Sequence, residues 1–221
     1  MELQSYLNRI GFRGTPKADR DTLIGIHRRH LLSITYENLD VQLGKRVSLQ
    51  PAPVYTKIVE GGRGGWCYEM NGLLAWALGE IGFDVMRINA GVARAERGDD
   101  AIGNHLVLAV QLDEPWIVDV GFGDGLIEPV PLRAGDIRQR GFRYHLEEID
   151  DGFWRFHNHR FSGAPSFDFR FEMADESLFA RKCDFLQTSP ESPFVMNLVC
   201  RRFIDEGSEV QLGRVSKRPT H

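Results

Sequence analysis

Three residues could together activate a thiol: Cys67, His105 and Asp119. Cys67 lies in Arg63-Gly64-Gly65-Trp66-Cys67-Tyr68-Glu69-Met70-Asn71-Gly72, where glycines crowd its N-terminal side and a helix-like run begins at the cysteine itself. That setting predicts a thiol at a helix N-terminus. Unpaired backbone N–H groups and the helix dipole favour an anion there, so a stabilised thiolate is expected. Such a nucleophile works best with a base to take its proton and a third group to orient that base. His105 opens an alternating run, and Asp119 lies within the apolar stretch Trp116-Ile117-Val118-Asp119-Val120. A carboxylate there needs a partner to offset its desolvation. If the two runs form a hairpin centred on Leu112, His105 and Asp119 stand directly opposite one another. A slip of one step would leave them diagonal and still within reach of an imidazole.

Taken singly, each residue has a plainer reading. A lone cysteine is more often a small buried hydrophobe than a nucleophile. A strand histidine is usually a satisfied structural residue, and Asp119 could be a loop-edge carboxylate. The three together are far more specific. Cys183 and Cys200 have no comparable setting and read as structural. His27 and His30 read as helix-face residues, and His145, His157 and His159 as hairpin surface. No cysteine pair has zinc spacing and no His-Glu-x-x-His occurs, so no metal is expected. Gly121-Phe122-Gly123-Asp124-Gly125 follows a strand without opening a helix. It lacks the dinucleotide fingerprint and reads as a tight turn near the site.

The elements that must carry these residues change character along the chain. Leu3, Tyr6, Leu7 and Ile10 fall at helical spacing, as do Leu23, Ile26, His30 and Leu31, with Asp19 or Asp21 as a cap. Pro53 to Val59 suits a short helix. Cys67 to Ile81 suits a longer one, with an apolar stripe of Met70, Leu73, Leu74, Ala77, Leu78 and Ile81 and a stop at Gly82. From Asp84 the period becomes two. His105–Leu112 and Trp116–Val120 read as strands joined by Asp113-Glu114-Pro115. Tyr144–Ile149 and Phe153–His157 read as a hairpin, and Phe167, Phe169 and Phe171 as one half-buried strand face. Helices followed by strands argue against a doubly wound sheet and for a sandwich or barrel. Phe194 to Arg202 suits a strand, and Gly213 to His221 lacks periodicity and reads as frayed.

Bulk composition narrows the function classes. The 221 residues are 42% hydrophobic and 26% charged with net charge −4, ordinary for a soluble globular protein and without the basic footprint of a nucleic-acid or anionic-membrane binder. No apolar run approaches the roughly 18 residues of a membrane helix. The N-terminus lacks the basic and apolar stretches of a signal peptide. Three widely spaced cysteines make no disulfide framework, so a reducing cytoplasm is the expected location.

The motif around Cys67 resembles the nucleophile motif of the arylamine N-acetyltransferases. Thr35-Tyr36-Glu37-Asn38-Leu39 is similar to that family's Pro-Phe-Glu-Asn-Leu segment. Asn104-His105-Leu106-Val107-Leu108 resembles its histidine strand, and Val118-Asp119-Val120-Gly121-Phe122-Gly123 its aspartate motif. Ser189-Pro190-Glu191-Ser192-Pro193-Phe194 resembles the opening of its third domain. The motifs occur in family order and cover residues 1 to about 205. The resemblance implies an α+β fold with a cysteine-protease-like Cys-His-Asp triad. Residues 1–83 would form a helical bundle carrying the nucleophile, 84–187 a β-barrel carrying His105 and Asp119, and 188–221 a partial, truncated α/β lid. It further implies ping-pong transfer, with acetyl-CoA as co-substrate and no bound cofactor. A Cys67 thioester would pass its acetyl group to an arylamine, arylhydrazine or arylhydroxylamine.

Under that resemblance His105 is the base, paired at rest as imidazolium with the thiolate, and Asp119 orients it. The Cys67 N–H is a candidate oxyanion donor, with a second near Gly103. Tyr36, Val92 and Phe122 are candidates for the aromatic-amine pocket, although Tyr36 also fits plain core. The shortened lid leads to an expectation of weak coenzyme A binding and competing thioester hydrolysis. Other readings are a macrolactam-forming amide synthase of the same fold, fed by a carrier-bound acyl chain, a thiol hydrolase, and an inactive remnant that binds aromatic ligands. A monomer or homodimer with small-molecule partners is expected.

Overall fold

The computed structural model describes residues 1–204 and 207–217. In chain order the helices are α1 (Leu3–Arg9), α2 (Arg20–Ser33), α3 (Leu39–Gln42), α4 (Pro51–Tyr55), α5 (Cys67–Ile81), α6 (Arg94–Arg97), α7 (Glu176–Thr188) and α8 (Pro193–Met196). The strands are β1 (Tyr36–Glu37), β2 (Asp84–Val92), β3 (His105–Gln111), β4 (Pro115–Val118), β5 (Val130–Pro131), β6 (Gly135–Gln139), β7 (Phe142–Glu148), β8 (Phe153–His157), β9 (Ser166–Arg170), β10 (Val199–Ile204), β11 (Gly207–Leu212) and β12 (Val215–Lys217).

Local chemistry sets the helix ends. Asp19 caps α2 by accepting from Thr22 N at 2.9 Å. Glu69 reaches back to Trp66 N at 3.2 Å at the start of α5. Gly82 ends α5 in the left-handed region, at φ 102°. The apolar stripe of α5 packs with α1, α2 and one face of β3 and β4, through Leu106, Leu108, Val110, Trp116 and Val118. The other face, including Val107, Ala109 and Ile117, joins a second core of barrel aromatics. β3 is thus buried on both sides, and His105, on the face of Val107 and Ala109, packs against Phe122 and Phe167.

Eight antiparallel strands form one curled sheet in the order β5-β4-β3-β2-β9-β8-β7-β6. The expected barrel is not closed by a backbone ladder among the described residues, because β5 and β6 remain the two edges. Instead the Gln139 side chain, on β6, bonds the segment that leads into β5. Its Oε1 accepts from Ile127 N and Glu128 N at 2.9 and 3.1 Å, and its Nε2 donates to Glu128 O at 2.9 Å. A second sheet, β1-β10-β11-β12, joins the N-terminal and C-terminal parts of the chain, with Tyr36 opposite Arg201.

Several expectations need correction. The hairpin register is Leu108 opposite Val118, one step displaced from a centre at Leu112, and β4 ends before Asp119. Phe194 to Arg202 is not one strand, because Pro193 starts α8 and the strand begins only at Val199. In β9 both faces are covered: Phe167, Asp168 and Phe169 are all buried, and Phe171 lies exposed beyond the strand. Asp168 tolerates this because Arg155 and Arg94 pair with it at 2.7 and 3.2 Å. His159 is buried rather than on the surface, with Nε2 3.0 Å from Asp124 O. Val215–Lys217 is a paired strand rather than a frayed end, and residues 218–221 of that expectation lie outside the described residues. Helix α7 adds an element to those expected: Asp175 caps it, and Phe179, Cys183 and Leu186 repeat at helical spacing. No described helix is long and apolar enough to cross a membrane, and the three cysteines are free.

Candidate functional site

Cys67 is the first residue of α5, so its N–H has no partner within the helix. The glycines before it serve close approach rather than turn geometry. A Cβ on Gly64 would run into Thr35 O, and one on Gly65 would lie 2.9 Å from Glu69 Cβ. Gly65 N donates to Thr35 O at 3.2 Å, and Glu37 N donates to Gly65 O at 2.9 Å. This stitches the nucleophile loop to β1. Beneath it Lys57 Nζ reaches both Glu69 oxygens at 2.9 Å and Asp40 at 3.0 Å. Burial raises the Glu69 carboxyl to about 7 despite Lys57.

His105 and Asp119 meet as the sequence predicts, with Nε2 to Oδ2 at 2.8 Å and both residues buried. The remaining Asp119 oxygen accepts from Asn71 Nδ2 and Gly121 N, each at 2.8 Å. Asn71 is satisfied on every side. Its Nδ2 also donates to Leu106 O at 2.6 Å, and its Oδ1 accepts from Val120 N at 2.9 Å. Being four residues after Cys67, it occupies the same face of α5. Gly121 must be glycine for a related reason: a Cβ there would sit 2.7 Å from Cys67 O and 2.6 Å from Asn71 Nδ2. His27, from α2, accepts from Asp119 N at 3.2 Å and donates through Nδ1 to Ile127 O at 3.0 Å.

Cys67 and His105 line one cavity of about 310 Å³. Its walls include Tyr36, Val92, Phe122 and Phe194, so three of the four expected substrate-contact residues border it. Phe122 packs against His105 with ring centroids 5.4 Å apart. Gly103 is the exception. Its N–H donates to Ala90 O at 2.9 Å and its carbonyl accepts from Tyr68 Oη at 2.7 Å, so it has no N–H to offer an oxyanion. Its glycine requirement is structural: φ is 88°, and a Cβ would lie 2.6 Å from Leu178 Cγ. At Cys67 burial opposes the helix N-terminus. Burial pushes the Cys67 thiol well above its ordinary range, and the Tyr68 N–H pulls the other way without prevailing. An isolated thiolate is therefore disfavoured, and ionisation needs a base that takes up the proton and stays beside it.

A family model described as N-acetyltransferase matches residues 19–214. The arylamine N-acetyltransferase of Mycolicibacterium smegmatis is 36% identical over 223 residues, spanning 97% of this chain and 81% of that protein. The chain belongs to the arylamine N-acetyltransferase family. Two solved arylamine N-acetyltransferases place its fold. That from Salmonella typhimurium matches with a TM-score of 0.89 at 26% identity, over 99% of this chain and 81% of its own. That from Mycobacterium marinum, solved in complex with CoA, matches with a TM-score of 0.89 at 28% identity, over 97% of this chain and 82% of its own.

Several residues of the site carry no role in the sequence pattern. Asn71 was visible as a polar residue one turn after Cys67 in an otherwise apolar stripe. His27, Leu186, Phe194 and Arg201 reach the site from distant segments, and no local pattern marks them.

Proposed function

We propose that this chain transfers acetyl from acetyl-CoA to an aromatic amine, hydrazine or hydroxylamine by a ping-pong reaction through a thioester on Cys67. The observation that carries this reading is the shared cavity. Cys67 and His105 both line it, and His105 Nε2 is held by Asp119, which leaves Nδ1 as the ring nitrogen for proton exchange there.

Proton transfer from Cys67 to His105 keeps the buried pair neutral overall, which suits a site where an isolated thiolate is penalised. Asp119 stabilises the imidazolium, as in Cys-His-Asp nucleophiles generally. The thiolate attacks the acetyl carbonyl, and the Cys67 N–H is a candidate donor to the oxyanion. The intermediate collapses, the coenzyme A sulfur leaves, and the imidazolium returns a proton to it. In the second half the amine attacks the thioester, His105 accepts the amine's proton, and expulsion of the Cys67 thiolate yields the amide. The proton on His105 then returns to Cys67. The unpaired thiols suit a reducing cytoplasm as the site of this chemistry.

Intact-protein mass spectrometry after brief exposure to acetyl-CoA tests the reading. One acetyl group should appear on wild type, not on Cys67→Ala, and disappear when an arylamine is added. Acetylation of Cys67→Ala to the same extent would overturn it.

A further inference from the structure

The loop after β4 is held at two places by two different side chains. Its first part, Asp119 to Gly121, is tied to α5: Asn71 bonds Asp119 Oδ1 and Val120 N, and Gly121 N donates to the same Asp119 oxygen. Its second part, Phe122 to Gly125, is tied elsewhere, through Asp124. This residue is buried, and each of its oxygens is occupied. Oδ1 accepts from Asn158 Nδ2 at 3.2 Å. Oδ2 accepts from Gly163 N at 2.9 Å and pairs with Arg201 Nη1 at 2.6 Å. The main-chain O accepts from His159 Nε2 at 3.0 Å. Phe161 N donates to the other nitrogen of that ring at 3.2 Å, so the His159 proton sits on Nε2.

These partners come from two walls of the catalytic cavity. Asn158, His159 and Gly163 belong to the β8–β9 connection, whose Gly163, Ala164 and Pro165 line the cavity. Arg201 belongs to β10, where it stands opposite Tyr36, another lining residue. Glycines let these segments touch. A Cβ on Gly163 would collide with the Arg201 guanidinium, and one on Gly123 would lie 3.2 Å from Arg201 Cδ and 3.6 Å from Tyr36 Cγ. Phe122, two residues before Asp124, packs its ring on His105 and Phe167 with centroids 5.4 and 5.0 Å away. Asp124 therefore joins the β8–β9 connection and the second sheet to the loop that presents Phe122, while Asn71 joins Asp119 to α5.

We propose that Asp124 is a positioning residue for the acceptor half of the reaction. It fixes the wall against which the acceptor's aromatic ring lies, and the separately anchored Cys67, His105 and Asp119 form the thioester without it. This rests on the acetyl-transfer reading above. The amine must reach the thioester with its ring already seated, and a wall displaced by about 1 Å costs up to ~10²-fold in rate. Acetylation by a small ester makes no such demand, because Cys67, His105 and Asp119 take their places from α5, β3 and Asn71. In Asp124→Asn the amide nitrogen faces an N–H donor whichever way it turns, so the tie loosens.

The experiment uses p-nitrophenyl acetate as donor, so coenzyme A binding does not enter. A burst of p-nitrophenolate measures Cys67 acetylation. Acceptor kcat/KM is then measured for 4-anisidine, whose ring needs the wall, and for hydrazine, which has no ring. The ratio of the two constants cancels the fraction of active enzyme and the acetylation rate, so a defect of folding alone does not move it. In Asp124→Asn the anisidine-to-hydrazine ratio should fall by about tenfold or more, while the burst rate stays within about threefold of wild type. Asn158→Ala removes one partner of Asp124 from a half-buried position and gives a second reading if the first variant folds poorly. Its ratio should fall by about threefold. An unchanged ratio in either variant overturns the assignment. So does a burst slowed beyond that range in folded Asp124→Asn, which would make Asp124 a support of the nucleophile itself. Failure of wild type to acetylate Cys67 at all would instead defeat the thioester reading underneath.

Discussion

Asn71 ties Asp119 to the helix that carries Cys67, its Nδ2 lying 2.8 Å from Asp119 Oδ1. Because Asn71 is one turn from Cys67, the distance between nucleophile and carboxylate is set by a helical repeat and one hydrogen bond. The same amide holds Leu106 O, next to His105, and Val120 N, next to Asp119. One fully buried side chain thus references all three candidate catalytic residues to each other.

Asn71→Ala should therefore damage both stability and rate. It removes the side-chain partners of Leu106 O and Val120 N in the core, each at about 1–3 kcal/mol, and leaves Asp119 Oδ1 with Gly121 N alone. The melting temperature should fall by roughly 6 °C or more. Acceptor kcat/KM should fall at least about tenfold in the folded enzyme. Thermal melts and steady-state kinetics on the same preparation check both, and a wild-type rate would remove Asn71 from the positioning set.

Asp119→Asn tests the tautomer argument. Asp119 accepts on both oxygens, from His105, Asn71 and Gly121. An amide nitrogen at either position meets a donor, and the easiest relief is for the His105 proton to move to Nδ1. The ring nitrogen facing the nucleophile then carries a proton and cannot act as base. Cys67 acetylation should slow by about 10³-fold or more, with a far smaller change in melting temperature. Rapid-quench acetylation with acetyl-CoA measures it.

Two glycines should separate site geometry from fold geometry. Gly121→Ala forces a Cβ to within 2.8 Å of the Cys67 backbone, so it should cost activity as well as stability. Gly103→Ala strains a φ of 88° and presses on Leu178, but its N–H is occupied by Ala90 O. It should lower the melting temperature while the folded fraction keeps kcat within about threefold, against the 10²-fold or greater loss expected of a missing oxyanion donor. A hundredfold loss in Gly103→Ala would restore the role in oxyanion binding that the hydrogen bonds argue against.

The buried histidines set the acid limit of stability. Burial lowers His27 to about 4 and His30 to about 3, so both stay neutral in the fold. Between their ordinary value near 6.5 and these lowered values, only the unfolded chain binds those protons, and stability falls as pH falls. His27 alone contributes about 3 kcal/mol over that window. Glu69 works in the opposite direction. Raised to about 7, it takes its proton first in the folded state and adds stability on acidification down to the usual glutamate range. The unfolded state still binds one more proton in total between about pH 6.5 and 4.5, so stability should drop by about 1.4 kcal/mol per pH unit there and more steeply just below. Melting temperatures from pH 7.5 to 4 would show it, and a curve rising on acidification through pH 6 to 5 would refute the buried neutral pair.

Much of this protein was readable from short-range pattern. The helix from Cys67 to Ile81 followed from its apolar stripe and its terminal glycine, because 3.6-residue periodicity and left-handed caps are local properties. The pairing of His105 with Asp119 followed from strand alternation and the need of a buried carboxylate for a partner, and it survived a one-step error in register because diagonal neighbours remain in reach. Tertiary structure alone decided the rest. Burial raises the Cys67 thiol against the pull of its helix position, and burial is a sum over distant segments. Gly103 lost its expected role because Ala90, on a neighbouring strand, takes its N–H. His27 beneath Asp119 and Arg201 in the cavity wall both depend on contacts between residues far apart in the chain. Local sequence specifies which groups are available, and packing decides which of them meet and in what charge state.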